Sequence, residues 1–334
     1  MKIAFFGTKE YDRKHFDEHY HNYLGIDHEI TFLRPRLSVQ TAVMAKGFDA
    51  VCAFVNDDLS APVVYALQAY GIRYVLMRCA GYNNVDLHAA KACGIKVARV
   101  PAYSPEAVAE HAMTLLMAAN RRIHKAYNKV RDNDYNLVGL SGINLHGKTA
   151  GIIGTGKIGL AMIRICRGFG MDVMASDPYP NLDAARTIGF DYAVSPETVF
   201  ANADVISLHC PLTDGNYHMI NRDTIKIMKD GVILVNTSRG GLIDTEDLID
   251  GIKAGKFHTV GLDVYEEENG LVFDDMSDAI LAHTTTARLL SFPNVILTSH
   301  QGFLTSEALE AIAQVTMDNA TALEKGEESS NIIA

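Results

Sequence analysis

The chain has 334 residues, a length that at about 100 to 200 residues per domain predicts two domains. Forty acidic against thirty basic side chains give a net charge of −10, the wrong sign for a phosphate backbone or an anionic membrane surface, so nucleic acid and membrane are set aside as main partners. Hydrophobic residues at 48% and charged residues at 21% exclude the disordered, collagen-like and coiled-coil classes.

No apolar run reaches the roughly 18 residues a spanning helix needs, and the opening Met1-Lys2-Ile3-Ala4-Phe5-Phe6-Gly7 is too short for a signal-peptide core. The chain therefore reads as cytoplasmic. Cys52, Cys79, Cys93, Cys166 and Cys210 are odd in number and scattered without a C-x-x-C pair. That pattern predicts reduced, mostly buried thiols and neither a disulfide framework nor a metal site.

Short β-rich runs alternate with helical stretches almost from end to end, the α/β pattern of doubly wound parallel sheets. In the first third the predicted strands are residues 2–6, 29–33, 50–55, 74–77 and 96–100, enough for one small open sheet. The segment Val100-Pro101-Ala102-Tyr103-Ser104-Pro105-Glu106 then reads as a hinge, with Ser104 placed to cap a helix and Pro105 in its first turn. One long helix is predicted over 105–131. Its basic end, from Arg121 to Lys129, suits a helix C-terminus and carries no functional weight. A second strand series starts near Thr149 and continues through 172–176, 205–208, 232–236, 259–264 and 295–298, making a larger sheet. The acidic stretch Glu266–Glu268 opens an irregular region up to Pro293. Residues 305–325 read as a closing amphipathic helix.

The strand that begins at Thr149 runs into Gly154-Thr155-Gly156-Lys157-Ile158-Gly159, and Ile158, Met162, Ile165 and Phe169 then share one helical face. A lone G-x-G-x-x-G is weak, but a strand before it and a helix after it make the signal strong. Gly154 allows the tight turn, Gly156 the approach of a pyrophosphate to the backbone, and Gly159 close helix–strand packing. The pyrophosphate then meets N–H groups at the helix start. Asp177 ends the next strand, 18 residues after Gly159, where an acid binds adenosine ribose hydroxyls and repels a 2′-phosphate. No arginine follows it in Pro178-Tyr179-Pro180, so NAD is predicted over NADP.

Hydride exchange with a hydroxy acid needs a cation for the carboxylate, a proton donor for the carbonyl oxygen, and an anion that keeps the donor protonated. Arg239 and His300 each follow a predicted strand, at the edge where open α/β sheets bind ligands. Taken alone, Arg239 could be a loop cap, His300 is one of thirteen histidines, and Glu268 is one of three adjacent acids. Spacing alone leaves these choices open.

The chain resembles the D-isomer-specific 2-hydroxyacid dehydrogenases over essentially its whole length. The resemblance rests on Phe54-Val55-Asn56-Asp57-Asp58, Arg78-Cys79-Ala80-Gly81-Tyr82-Asn83-Asn84-Val85-Asp86, the Val100–Ala107 run, the glycine motif, Asn236-Thr237-Ser238-Arg239-Gly240, Gly261-Leu262-Asp263-Val264-Tyr265-Glu266, and Ser299-His300-Gln301-Gly302-Phe303. It implies a catalytic triad of Arg239, Glu268 and His300: a carboxylate clamp, the anion that holds His300 charged, and the proton donor. It further implies substrate contacts at Arg78, Ala80, Gly81, Tyr103, Arg239 and Phe303. Implied cofactor contacts are Gly154, Gly156, Lys157, Ile158, Gly159, Asp177, Cys210, Pro211, Asn216, Thr237, Ser238, Arg239 and Asp263, with Cys210 a wall residue and no nucleophile.

The same resemblance implies a Rossmann NAD-binding domain at 101–299 inserted into a smaller flavodoxin-like substrate domain at 1–100 and 300–334. The site would lie in a cleft that closes over a small 2-oxo or 2-hydroxy acid, and the protein would be a homodimer or homotetramer. Ser299-His300-Gln301-Gly302-Phe303 is as in lactate-type members, and Glu268 argues against formate relatives, which carry Gln there. A dehydrogenase for a bulkier D-2-hydroxy acid, such as 2-hydroxyisocaproate or phenyllactate, is the nearest alternative. An NAD-sensing binding protein of the corepressor-like branch is the more distant one, since those relatives extend the fold with disordered tails.

Overall fold

The computed structural model describes residues 1–23, 28–268, 271–273, 275–278 and 284–334. Two compact units emerge, Met1–Ser104 with Leu304–Ala334, and Pro105–Phe303. Both junctions fall four residues beyond those of the sequence reading, which puts His300 and Phe303 with the larger unit.

The smaller unit begins with β1 (Lys2–Phe5), α1 (Glu10–Tyr23), β2 (Glu29–Phe32), β3 (Ala50–Ala53), α2 (Ala61–Ala69), β4 (Tyr74–Met77), α3 (Leu87–Ala92) and β5 (Lys96–Arg99). The strands form one parallel sheet in the order β2-β1-β3-β4-β5. Every residue of β3 is buried, as its unbroken Ala-Val-Cys-Ala requires of a strand covered on both faces. The Asp86 side chain accepts from the Ala89 amide and so starts α3, while a proline in the first turn helps to start α2.

The larger unit contains α4 (Pro105–Asn120), α5 (Ile123–Arg131), β6 (Thr149–Ile153), α6 (Lys157–Gly168), β7 (Asp172–Ser176), α7 (Leu182–Ile188), β8 (Asp191–Tyr192), α8 (Pro196–Asn202), β9 (Val205–Leu208), α9 (Arg222–Ile227), β10 (Val232–Asn236), α10 (Thr245–Lys253), β11 (Phe257–Leu262), α11 (Thr284–Ser291) and β12 (Val295–Leu297). Its seven-stranded parallel sheet runs β12-β11-β10-β9-β6-β7-β8. Neighbouring strand residues divide between two cores, since successive side chains point to opposite faces. Ile152, Ile233 and Val235 pack with α4 and α6, whereas Ile153, Val232 and Leu234 pack with α8, α9 and α10. The chain then returns to the smaller unit as α12 (Ser306–Lys325), capped by the Thr305 side chain. Beyond it, Ile332 pairs antiparallel with Ala98, and Ile333 N–H bonds to the Val97 carbonyl at 2.8 Å, covering the outer edge of β5.

Three expectations require correction. The long helix predicted over 105–131 is two helices, because Arg122 takes a left-handed backbone at φ 49° and sends its Nη1 to the Pro293 carbonyl at 3.0 Å. Asn120, wholly buried just before this break, exchanges hydrogen bonds with the Ile143 backbone at 2.8 and 2.9 Å. The region after Glu268 includes α11, and β8 extends the sheet by a two-residue strand whose shortness hides it from periodicity. All five cysteines are free thiols; Cys52, Cys79 and Cys166 are buried, and Cys93 and Cys210 half-buried. Among the described residues no helix is long and apolar enough to cross a membrane.

Candidate active site

The glycine motif lies on the turn from β6 to α6. Gly154, at φ 91°, lets the next loop pass close by: a Cβ there would stand 2.7 Å from the Cys210 nitrogen. A Cβ on Gly159 would stand 2.0 Å from the Gly154 carbonyl oxygen, so only glycine lets α6 meet its strand. Gly156 differs, since nothing lies within 4 Å of a Cβ built on it. It is exposed at the N-terminal end of α6, and no side chain caps that end. This open backbone fits an approaching pyrophosphate. Lys157 is exposed beside it, while Ile158 packs its side chain on the core, leaving its backbone for any cofactor contact.

Asp177, one residue past β7, bonds back to this turn. Its Oδ2 accepts the Thr155 amide at 2.6 Å and the Thr155 hydroxyl at 3.1 Å, and its Oδ1 accepts the Tyr179 amide at 2.8 Å. A carboxylate is thus fixed where the adenosine ribose would end.

Cys210 and Pro211 follow β9. Asn216 clasps this loop, donating to the Pro211 carbonyl at 2.8 Å and accepting the Thr213 amide at 2.7 Å. Burial pushes the Cys210 thiol up to about 11, so at neutral pH it is a thiol and a poor nucleophile. The loop after β10 is tied to it by the Ser238 hydroxyl, which donates to the Cys210 carbonyl at 2.5 Å. Buried Asn236 holds that loop from inside, accepting the Ser238 amide at 3.0 Å and donating to the Arg239 carbonyl at 2.8 Å. Thr237 carries a buried hydroxyl with no hydrogen-bond partner among the described residues. The orphaned Thr237 hydroxyl and the open backbone at Gly156 are each polar groups that a bound dinucleotide would satisfy.

Arg239 shares this loop with Gly240, where a Cβ would lie 2.2 Å from the Tyr265 carbonyl carbon and 2.6 Å from the Glu266 nitrogen. The missing side chain lets the chain leading to Glu268 lie against the arginine loop. Glu268 Oε1 stands 3.2 Å from His300 Nδ1, the two side chains being 16% and 19% exposed. Phe273 and Phe303 flank this pair, the Phe273 ring centroid lying 6.2 Å from both the imidazole and the Phe303 ring.

Asp263 determines where His300 sits. Its carbonyl accepts the His300 amide at 2.9 Å. Its Oδ1 accepts the Gln301 amide at 2.9 Å and the Thr298 hydroxyl at 2.5 Å, and its Oδ2 accepts the Gly302 amide at 2.8 Å. His111 Nε2, from α4, lies 3.1 Å from Oδ1. Burial works to raise the Asp263 pKa, but the bonds from His111, Thr298 and Gln301 and the His111 charge prevail, holding it below the ordinary carboxylate value. Bonded on both oxygens, this carboxylate keeps His300 at its unusual φ of 51°. Sequence reasoning missed His111, Asn236 and Thr298; a histidine on the apolar face of α4 between Val108 and Leu115 was the available signal.

The remaining expected substrate residues lie in the smaller unit. Ala80 and Gly81, half-buried after β4, have their carbonyls engaged by Arg99 Nη1 at 2.8 Å and the Cys79 thiol at 3.2 Å. Tyr103 is half-buried between β5 and the end of the unit. The Arg78 side chain is only 3% exposed, with Nε 3.4 Å from Asp12 Oδ1 and Nη2 donating to the Gly7 carbonyl at 3.3 Å. Its guanidinium lies over the Phe5 and Phe54 rings at 4.4 and 4.9 Å. Arg78 directly precedes the Cys79-Ala80-Gly81 run, and its buried Nε and Nη1 have no hydrogen-bond partner among the described residues.

The family model described as D-isomer specific 2-hydroxyacid dehydrogenase, NAD binding domain, matches residues 113–302. A D-lactate dehydrogenase of Escherichia coli (strain K12) is 50% identical over 331 residues, covering 99% of both chains. The apo-structure of D-lactate dehydrogenase from Escherichia coli superposes with TM-score 0.90 at 48% identity over 100% of both chains. A structure described as the pyruvate reductase of Chlamydomonas reinhardtii reaches TM-score 0.93 at 38% identity, covering 99% of this chain and 98% of that one.

Proposed function

This chain belongs to the D-isomer specific 2-hydroxyacid dehydrogenase family, NAD-dependent oxidoreductases, and from that premise we propose that it reduces pyruvate reversibly to D-lactate. The observation that carries the reading is the Glu268–His300 pair at 3.2 Å, set beside two phenylalanines. The carboxylate holds the imidazole by Nδ1 and leaves Nε2 to face a substrate oxygen, the arrangement general acid–base chemistry needs.

NADH, when bound, supplies the hydride. Gly154, Gly156 and Gly159 form its turn, Asp177 meets the ribose, and Cys210, Pro211, Thr237 and Ser238 line the nicotinamide side. Asn216 and Asp263 act through the loops they hold. Arg239 clamps the substrate carboxylate and polarises its carbonyl. His300 protonates the carbonyl oxygen from Nε2 while Nδ1 stays on Glu268, and in the lactate direction it takes that proton back. Phe303, 7% exposed and stacked edge-on by Phe273, supports a small methyl-bearing substrate over a bulky one. In the smaller unit, Ala80, Gly81 and Tyr103 are assigned to the substrate carboxylate. A homo-oligomer is supported by Ile123, Tyr127 and Val130, which α5 carries exposed at helical spacing, and by exposed Tyr135, Leu137 and Val138 after it.

The test is NADH oxidation against pyruvate, 2-oxobutyrate, 2-oxoisocaproate and phenylpyruvate, then the reverse reaction with D- and L-lactate. The reading expects the highest kcat/KM with pyruvate and activity with D-lactate alone. A maximum with a branched or aromatic acid overturns the pyruvate assignment.

A further inference from the structure

We propose that the smaller unit carries a second ligand site, for a small multiply charged anion of the phosphate or polycarboxylate kind, between the β1–α1 turn and the exit of β2. A cavity of about 400 Å³ opens there, and four cations, Lys9, Arg13, Lys14 and Arg34, line it against a single acid, Glu10. The volume is that of a small-molecule site. Asp17 lies 3.8 Å from Arg13, and with it counted a local excess of two positive charges still stands out on a chain whose net charge is −10.

The position is also that of a ligand site. In an open parallel sheet, ligands bind at the carboxyl ends of the strands near the point where the strand order reverses. In the order β2-β1-β3-β4-β5 that point lies between β1 and β3, and the pocket opens on the same carboxyl edge one strand over, at the ends of β1 and β2. The β1–α1 turn and the exit of β2 are joined at their base by main-chain bonds. Gly7 N–H bonds to the Pro35 carbonyl at 2.8 Å and Thr8 N–H to the Leu33 carbonyl at 3.0 Å, so the two loops that supply the cations are tied by main chain. The Arg13 guanidinium lies 5.3 Å from the Phe32 ring centroid, which gives the pocket one aromatic wall. None of the lining residues is among those assigned to substrate or cofactor above.

The pocket is wired to the loop assigned to substrate. Gly7 and Asp12 belong to the same turn and helix as the cations, and both bond Arg78, which directly precedes Cys79-Ala80-Gly81. An anion bridging the α1 cations to Arg34 would order the first turn of α1 and with it the Asp12–Arg78 contact. Ordering paid for by one ligand is spared the next, so occupancy of the pocket lowers KM for the 2-oxo acid. This coupling rests on the proposed substrate reading; the binding site does not.

The experiment titrates the full chain calorimetrically with sodium pyrophosphate and, separately, citrate, at ionic strength held constant with chloride. The same titrations are run on the K14E/R34E double variant and on K14A/R34A, whose exposed positions leave the core untouched. Expected are a saturable one-per-chain isotherm with at least one of the two anions, its loss in both variants at unchanged melting temperature, and a KM for pyruvate about fivefold lower when the anion is bound. Pyrophosphate binding alone assigns a phosphate ligand, citrate alone a polycarboxylate. The absence of a saturable isotherm with either anion, or isotherms that survive both variants, would overturn the site. Binding with KM unmoved would overturn the coupling, and failure to reduce pyruvate at all would overturn the substrate reading while the isotherms still decide the site.

Discussion

Replacing Asp263 by Asn tests how His300 is held. The carboxylate faces a backbone N–H with each oxygen, Gln301 at 2.9 Å and Gly302 at 2.8 Å, and also receives Thr298 and His111. An amide has only one acceptor oxygen, so in either orientation its NH2 confronts one of the two N–H groups. With the oxygen toward Gln301 and Thr298, the Gly302 amide is orphaned, at roughly 1 to 3 kcal/mol. Loss of the charge that strengthens the other bonds adds about 1 kcal/mol. Asp263→Asn should therefore lose about 2 to 4 kcal/mol of stability, as read by urea unfolding. The loop cost also reaches the chemistry, because a catalytic group displaced by about 1 Å can cost 10²-fold in rate. The expected result is kcat down by about 10²-fold with NADH affinity little changed, measured by steady-state kinetics and by quenching of NADH fluorescence. A variant with wild-type kcat, or one whose sole defect is in NADH affinity, would refute the positioning role and return Asp263 to the cofactor.

Gly156→Ala meets no atom within 4 Å, so it should leave the melting temperature unchanged and raise KM for NADH by about tenfold, equal to 1.4 kcal/mol; Gly159→Ala, 2.0 Å from the Gly154 oxygen, should instead lower the melting temperature. Asp177→Ala should raise kcat/KM for NADPH relative to NADH, and an unaltered ratio would show that another feature sets the preference. Burial lowers the His209 pKa from 6.5 to about 4. The fold therefore prefers the neutral ring, and that contribution is complete above pH 6.5 and lost as pH falls from there toward 4. About 3 kcal/mol of acid destabilisation follows, which urea unfolding across this range should show diminished in His209→Asn.

Legibility of the fold followed the range of the interactions involved. β4, β9 and β10 were readable residue for residue because their buried apolar runs are local signals, and the glycine motif was readable because its strand, turn and helix are consecutive. The break at Arg122 was not, since the left-handed backbone there has no glycine or proline to announce it and its side-chain partner, Pro293, lies far along the chain. For the same reason the roles of Asp263 and His111, 152 residues apart in sequence, escape any window. Composition showed an acidic chain and averaged away the four cations that the β1–α1 turn and β2 bring together. Glu268 and His300 came from resemblance, because periodicity could not separate them from neighbouring acids and other histidines. Arg78 came the same way, and its burial beside Asp12 is a contact 66 positions distant that no local pattern shows.

In the proposed reaction His300 donates and recovers the substrate proton. The direct measurement is kcat for pyruvate reduction by His300→Gln, alongside NADH binding to the same preparation. Gln can still bond Glu268 but has no proton to transfer. In that variant kcat should fall by about 10²- to 10⁴-fold with NADH affinity preserved. Near wild-type turnover would contradict this role of His300.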